Sequence, residues 1–482
     1  MLTLSVANIR ERLGRMPMFV VTLALIAGIV TANIWSIEWF VWLLLLALSA
    51  VLALFRHRIV VVTLFTLGAM LYQLNSYQIL PHSVPLKMVV KITDDVVDYG
   101  RFGTCAARVL QCEGSHCRAR VKITTDSLLR PERGDIIELN GYIRPFTPQQ
   151  SSYAQAMHRQ GFSGRVTVSG GRVVSYIPAP RSTLHNWAVE RIESILPQSE
   201  GRDVAISLSL GAKAIRSAEL KQSYSYSGMS HLLAVSGLHV GMVVLLLNLL
   251  LLPLSLVWRG NIARSGIVVV LIWCYVALCG YPTSAIRAAV MFSVLQLSHM
   301  ARSRYAIENS LATTAFVMLA AEPTMLFELS FQLSFVAVMA IVFVGKPLMA
   351  AIGRGEGIVG EMISGVVIST VCVVATAPLI SYSFGIVSWL SIIVTPLALI
   401  TAQIIIISTF VALLSPLPIA NIAAQVAQWC GTVQNRFVAW SVESGIGYTE
   451  LRIDFMTLMA VYGLMALLLA LMLGIKYRAP RH

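Results

Sequence analysis

Long apolar runs at residues 18–35, 39–55 and 59–74 follow one another with short polar breaks, and a second series resumes near residue 230. Each approaches or exceeds the roughly 20 residues an α-helix needs to cross about 30 Å of hydrocarbon. The pattern predicts further spans near 230–256, 265–281, 283–300, 306–321, 328–345, 363–384, 388–415 and 455–474. Because two more runs follow the first at once, the first reads as a retained anchor rather than a cleaved leader.

Between residues 84 and 178 the long runs give way to short alternating segments at 86–96, 103–111, 117–124 and 136–143. Period-two alternation with turn signals at Gly134-Asp135 and Arg144-Pro145 predicts a small all-β domain. Short strands of this number suit a partly open OB-like barrel, with a small sandwich as the alternative. Residues 181–198 place Leu184, Trp187, Ile192, Ile195 and Leu196 beside Glu190, Arg191 and Glu193, the pattern of an amphipathic helix at a membrane surface. The weakest stretch of the second series is 417–445, where Gln425, Gln428, Gln434, Asn435 and Arg436 interrupt the apolar residues. It reads as an amphipathic or re-entrant helix, or as an extra crossing. The expected division is therefore three amino-terminal spans (1–80), an OB-like extracytoplasmic domain (81–180), interfacial helices (181–225), a helical membrane domain (226–475) and a basic tail (476–482).

With 57% hydrophobic and only 12% charged residues, the chain lies outside the composition of soluble domains. Its net charge of +13 is distributed as the positive-inside rule requires. Arg10, Arg12 and Arg15 precede the first run, and Arg56 and Arg58 follow the second. Arg302, Arg304, Lys346, Arg354, Lys476, Arg478 and Arg481 fall on the same side in the count. That places the amino terminus in the cytoplasm and the β domain outside it. The expected fold class is a polytopic α-helical membrane protein with an inserted extracytoplasmic β domain.

The string HLLAVSGLHVG at 231–241 sets His231, Ser236, Gly237, His239 and Gly241 at the mouth of an apolar run. Polar groups at that depth face a bundle interior or a wet cavity, and glycine permits a break in the helix. This string, together with PTSAIRAAVM (282–291), EPTMLFELSFQLSFVAVMAI (322–341), TAPLISYSFGIVSWLSIIVTPLALI (376–400) and RGDIIELNGYIRPFTPQQSSYAQAMHRQGFSG (133–164), resembles the ComEC competence family, in that family's order. The resemblance implies an inner-membrane channel that admits one strand of transforming DNA to the cytoplasm, with an OB-like domain outside. Many members end in a metallo-β-lactamase-like domain that needs a His-x-His-x-Asp-His metal cluster. None of the nine histidines here has another two positions away, and the chain ends at His482 just past its last run, so the nuclease is expected to be a separate protein, absent or removed.

Arg287 is the leading candidate for a channel-lining phosphate contact, against the alternatives of snorkelling to headgroups or pairing with Glu322 or Glu328. Glu328 and Gln332 share a helix face by their spacing and predict an inward polar stripe. His231, Ser236 and His239 are candidates for pore lining, with packing at a helix break as the plainer use. The segment 87–181 holds 14 Lys and Arg against 8 Asp and Glu. Within it Arg118, Arg120 and Lys122 alternate along one strand beside Arg108, a surface suited to DNA or to lipid headgroups, with Tyr142 and Phe146 as stacking faces. Cys112 and Cys117 bracket a predicted turn outside the cytoplasm, where a disulfide is permitted. No catalytic residue, metal site, cofactor or nucleotide-hydrolysing loop is expected. The implied partners are single-stranded DNA, the lipid bilayer, an extracytoplasmic DNA receptor, a separate nuclease, and a cytoplasmic motor or DNA-binding proteins. The rival reading is a secondary transporter or lipid flippase built around His231, Arg287 and Glu328.

Overall fold

The computed structural model describes residues 17–476 apart from 36, 57–58, 76–79, 81–84, 94–95, 99–101, 127–130, 132–133, 147–153, 155–156, 158–160, 169–172, 179–182, 212–219, 221–222, 225, 230–231, 233–234, 258–259, 301–305, 353–356 and 444–447. His231 and the cations Arg10, Arg12, Arg15, Arg58, Arg302, Arg304, Arg354, Arg478 and Arg481 lie outside the described residues.

The three amino-terminal runs are helices α1 (Pro17–Ile34), α2 (Trp39–Phe55) and α3 (Val60–Asn75). α1 and α3 meet backbone to backbone, because a Cβ on Gly28 would lie 1.9 Å from Phe65 O and one on Gly68 would lie 2.3 Å from Leu25 O. Lipid tails are as apolar as leucine, so such close packing, not hydrophobicity, holds helices together in a bilayer.

The inserted domain is one sheet of β1 (Leu86–Ile92), β2 (Val97–Asp98), β3 (Phe102–Cys112), β4 (Ser115–Asp126), β5 (Ile136–Gly141), β6 (Phe162–Val168) and β7 (Val173–Ile177). The strand order is β6-β4-β3-β1-β5-β7, with β2 on β3; β4 and β6 are parallel and the other pairs antiparallel. The sheet curls until the chain after β5 meets β6, where Arg144 and Arg165 exchange backbone hydrogen bonds of 2.8 and 2.7 Å. Gly164 permits that closure, since a Cβ there would stand 2.4 Å from Arg144 O. Alternation sends Met88, Val90, Ala107, Val109, Ala119, Val121, Ile123, Ile137, Leu139 and Val166 into a dry core. Glu113 and Gly114, both with positive φ (50° and 77°), make the two-residue β3–β4 turn whose twist matches its strands.

The chain continues through α4 (Thr183–Ile195), α5 (Glu200–Leu210), α6 (Gly237–Leu250), α7 (Gly260–Leu278), α8 (Thr283–Met300), α9 (Ala306–Ala321), α10 (Leu329–Ala340), α11 (Lys346–Ile352), α12 (Gly357–Phe384), α13 (Ser391–Leu414), α14 (Leu417–Glu443) and α15 (Phe455–Lys476). A π-helical turn, Ile341–Gly345, joins α10 and α11. Five of the described helices are long and apolar enough to cross a membrane: α1, α7, the continuous 329–352 helix, α12 and α13. Six shorter apolar helices, among them α2, α3 and α6, accompany them.

The interfacial assignment of 181–225 is corrected in its second part. α4 does lie at the surface, with Leu184 and Trp187 exposed while Ala188 and Ile192 are buried. α5 instead packs between α13 and α14, and eight of its eleven residues, Gly201 and Val204 through Leu210, are buried. Its small residues explain the insertion: a Cβ on Gly201 would fall 2.3 Å from Gln428 O, and one on Gly431 would fall 2.4 Å from Gly201 O.

The weak 417–445 stretch is a single helix, α14, about 40 Å long at 1.5 Å per residue. It returns antiparallel to α13, so β8 (Ile386–Ser388), at the end of α12, can pair with β9 (Tyr448–Glu450), just before α15. Its buried face is small or polar, from Ala420 through Gly431 to Ser441, while Ile422, Trp429 and Trp440 point outward. The inverted arrangement, with polar residues inside and large apolar ones outside, is the reason its average hydropathy is low.

Candidate functional site

On β1, β3 and β4 the pleat that buries every second residue puts the intervening cations on the opposite, outer face. Lys91 stands opposite Arg108, and Arg108 opposite Arg120. Directly opposed residues share a face, so three cations form one row across three neighbouring strands, separated by about 5 Å per strand. The row ends on β6, where Arg120 is opposite Phe162 and its guanidinium lies 4.8 Å from the ring centroid. Lys122 approaches the same ring at 5.3 Å, and Arg165 lies over Phe146 at 6.0 Å. Like charges placed opposite one another destabilise a sheet unless an anion compensates them.

That compensation comes from the membrane domain. Arg120 Nη2 bonds Glu328 Oε1 at 3.0 Å, and Arg118 Nη2 lies 3.6 Å from Glu322 Oε1. Arg118 also donates to Leu74 O, at the end of α3, at 3.4 Å. The two glutamates flank the single 3-10 turn Pro323–Phe327 between α9 and α10, and Thr324 donates to Glu322 Oε1 at 2.7 Å. Glu328 occupies the N-cap of α10 but makes no cap with its side chain, which is directed to Arg120 instead. Arg118 and Arg120, read from the sequence as a surface for DNA or for lipid headgroups, pair in this structure with Glu322 and Glu328 and so dock the β domain on the helices.

Arg287, the fifth residue of α8, is 8% exposed. Its Nη1 donates to Ser330 Oγ at 3.0 Å, while its buried Nε has no hydrogen-bond partner among the described residues. Glu328 is near enough to act on it through its field, so one carboxylate serves Arg120 directly and Arg287 at longer range. Gln332 does not extend a stripe from Glu328; its Nε2 donates to Leu326 O at 2.9 Å and closes the 3-10 turn onto α10.

The 231–241 string contains a helix start rather than a helix interior. Ser236 is the N-cap of α6, accepting from His239 N at 3.5 Å, while the Ser236 N–H donates to His239 Nδ1 at 3.3 Å. That reciprocal cap assigns the neutral ring's proton to Nε2. His239 is fully buried, and Met229, Leu232 and Val235 before it, none of them α-helical, are buried too. Irregular backbone is tolerated in a membrane domain when protein encloses it. Ser284 of α8 donates to Val235 O, tying the break to the helix that carries Arg287. α6 can approach α8 closely because a Cβ on Gly241 would stand only 3.0 Å from the Phe292 ring.

Cys112 and Cys117 sit near the β3–β4 turn. Burial, then the Glu113 carboxylate, raises the Cys112 thiol above its ordinary value. Burial, then neighbouring Cys112, raises Cys117. No cluster of three or more metal-ligating side chains occurs among the described residues. Sequence reasoning missed Lys91, Phe162 and Ser330. The first was detectable from the exposed alternation of Lys87 and Lys91 in β1, but the partners of the other two depend on tertiary contact.

Membrane-length helices, a buried break in the backbone and a docked β domain define a polytopic membrane protein. The chain belongs to the competence-protein family, whose model matches residues 208–477, more than half of its length. It is similar to an uncharacterised protein of Aquifex aeolicus (strain VF5), 31% identical over 217 residues that cover 45% of this chain and 48% of that protein. It is also similar to ComE operon protein 3 of Bacillus subtilis (strain 168), 25% identical over 227 residues covering 45% of this chain and 28% of that protein. The matched stretch thus spans about half of the first relative and little more than a quarter of the second. No solved structure matches the chain.

Proposed function

We propose that the protein conducts a single strand of transforming DNA across the cytoplasmic membrane, with its β domain on the outer side. The observation that carries this reading is the cation row Lys91–Arg108–Arg120, which runs to the junction with a family domain holding the buried, under-bonded Arg287. Phosphodiester chains are bound without sequence preference by arrays of cations, and Lys91 and Arg108 stand side by side in such an array. The strand order of β1, β3, β4, β5 and β6, with the parallel β4–β6 pair and the closure at Arg144–Arg165, supports an OB-type barrel. The reading requires no chemical step from this chain. A receptor outside, a separate nuclease, and a cytoplasmic motor or DNA-binding proteins supply capture, strand removal and direction.

The test follows labelled transforming DNA into the cytoplasm of cells lacking the protein, complemented with wild type, Arg287→Ala or Arg287→Met at matched membrane levels. Deletion should leave the DNA outside the inner membrane. Both variants should lower uptake about tenfold or more, as expected for removal of a charge-assisted phosphate contact. Because methionine fills the space of a buried arginine, Arg287→Met should keep the fold stable while it loses transport. Normal uptake after deletion removes the competence function, and normal uptake by Arg287→Met removes the phosphate contact.

A further inference from the structure

Glu328 is placed oddly for a residue that merely starts a helix. It forgoes capping α10, reaches out of its own domain to Arg120, and lies within the field of buried Arg287. Its neighbour Glu322 holds Arg118, the next outward-facing cation on β4. The same two carboxylates therefore fasten the β domain to the helices and occupy the junction end of the cation row.

The pairs are only partly buried: the side chains of Arg120 and Glu328 are 12% and 21% exposed, and those of Arg118 and Glu322 are 28% and 25% exposed. Water and competing anions can reach them. A phosphodiester presents the same acceptor geometry to a guanidinium as a carboxylate does. Arg287 adds a buried donor, Nε, that has no hydrogen-bond partner among the described residues.

Building on the DNA-conducting reading, we propose that Glu322 and Glu328 are resident competitors in a nucleic-acid phosphodiester site formed by Arg118, Arg120 and Arg287. A strand arriving along Lys91 and Arg108 displaces the carboxylates and frees the β domain from the α9–α10 turn. The glutamates then act as a latch that opens when DNA is present, and the unfilled donor of Arg287 receives a phosphate oxygen as they leave.

The test is binding of a short fluorescent oligothymidylate to the full-length protein in nanodiscs, measured by anisotropy at low and high salt. Glu328→Gln keeps shape and hydrogen-bonding capacity while it removes the competing charge. The expected result is affinity about tenfold tighter than wild type at low salt, with the gain shrinking at high salt. Glu322→Gln should tighten it less, in keeping with its longer pair, and provides the same comparison if Glu328→Gln does not fold. Affinity unchanged or weakened by these substitutions, with binding by the wild type intact, overturns the latch and leaves the DNA reading standing. Absence of binding by wild type and variants alike removes the DNA reading and the latch with it. Discs of zwitterionic and of anionic lipid are compared, and loss of oligonucleotide binding in the anionic discs would assign the site to lipid phosphate instead.

Discussion

Cys112 and Cys117 show how far a residue's chemistry departs from its spacing. Their separation permits a hairpin cross-link, and, as thiols, both are raised above the ordinary range by burial. A raised thiol value leaves less thiolate at mildly alkaline pH, and the thiolate is the nucleophile. Alkylation of the reduced protein by iodoacetamide should therefore be slower at these two sites than at an unstructured cysteine, and should catch up as pH rises through their elevated values. Rates equal to the unstructured thiol across that range would contradict the shift. The proposed cross-link is read in the same way, as a fraction protected from alkylation until a reductant is added. Arg287 was singled out from the sequence, but its hydrogen bond to Ser330 depends on where α10 begins relative to α8.

At the scale of elements, small residues decide which helices can touch. The α5–α14 contact has Gly201 and Gly431 packed against each other's backbones, and Gln428 Nε2 donates to Ser199 Oγ at 2.8 Å at the start of α5. A methyl group at Gly201 would meet the Gln428 carbonyl oxygen at 2.3 Å, and that main-chain atom cannot move without shifting a helix. Gly201→Ala should lower the stability of the purified protein by about 1–3 kcal/mol, the usual cost of overpacking, read as an earlier melting transition in detergent. A melting curve that matches wild type would mean that α5 is not held there. The strands, by contrast, were readable from alternation alone, because one face of each is packed on a dry core and the other is wet. The late strands β6 and β7 and the shared row of cations needed register, which alternation does not supply.

For the whole molecule, one sidedness runs through independent contacts. The β domain meets the α9–α10 turn through Arg118 and Arg120, α4 meets the end of α7 through a His185 Nδ1–Leu278 O contact of 2.7 Å, and β8 pairs with β9. Tyr226, before α6, stacks on Tyr448 of β9 with ring centroids 5.0 Å apart. These loops lie together at one end of the bundle, while Leu256, between α6 and α7 and 89% exposed, belongs to the other. α14 returns along α13, so α15 runs away from the β-domain side. In a cysteine-free background, Ser115→Cys and Tyr448→Cys should react with an impermeant maleimide in intact spheroplasts, and Leu256→Cys only after permeabilisation. Reaction of Leu256→Cys together with the other two, before permeabilisation, would refute this topology.

Apolar length and period-two alternation act locally, so the sequence by itself determined the membrane class, the existence of the β domain, most of its strands, and the polar start of α6. These features need only a residue and its near neighbours to meet lipid, water or a core. Burial of α5, the inverted polarity of α14 and the sharing of Glu328 between Arg120 and Arg287 were decided by the tertiary structure. Each joins residues far apart in the chain, where the gain comes from a partner's position and not from the residue's own preference for oil or water.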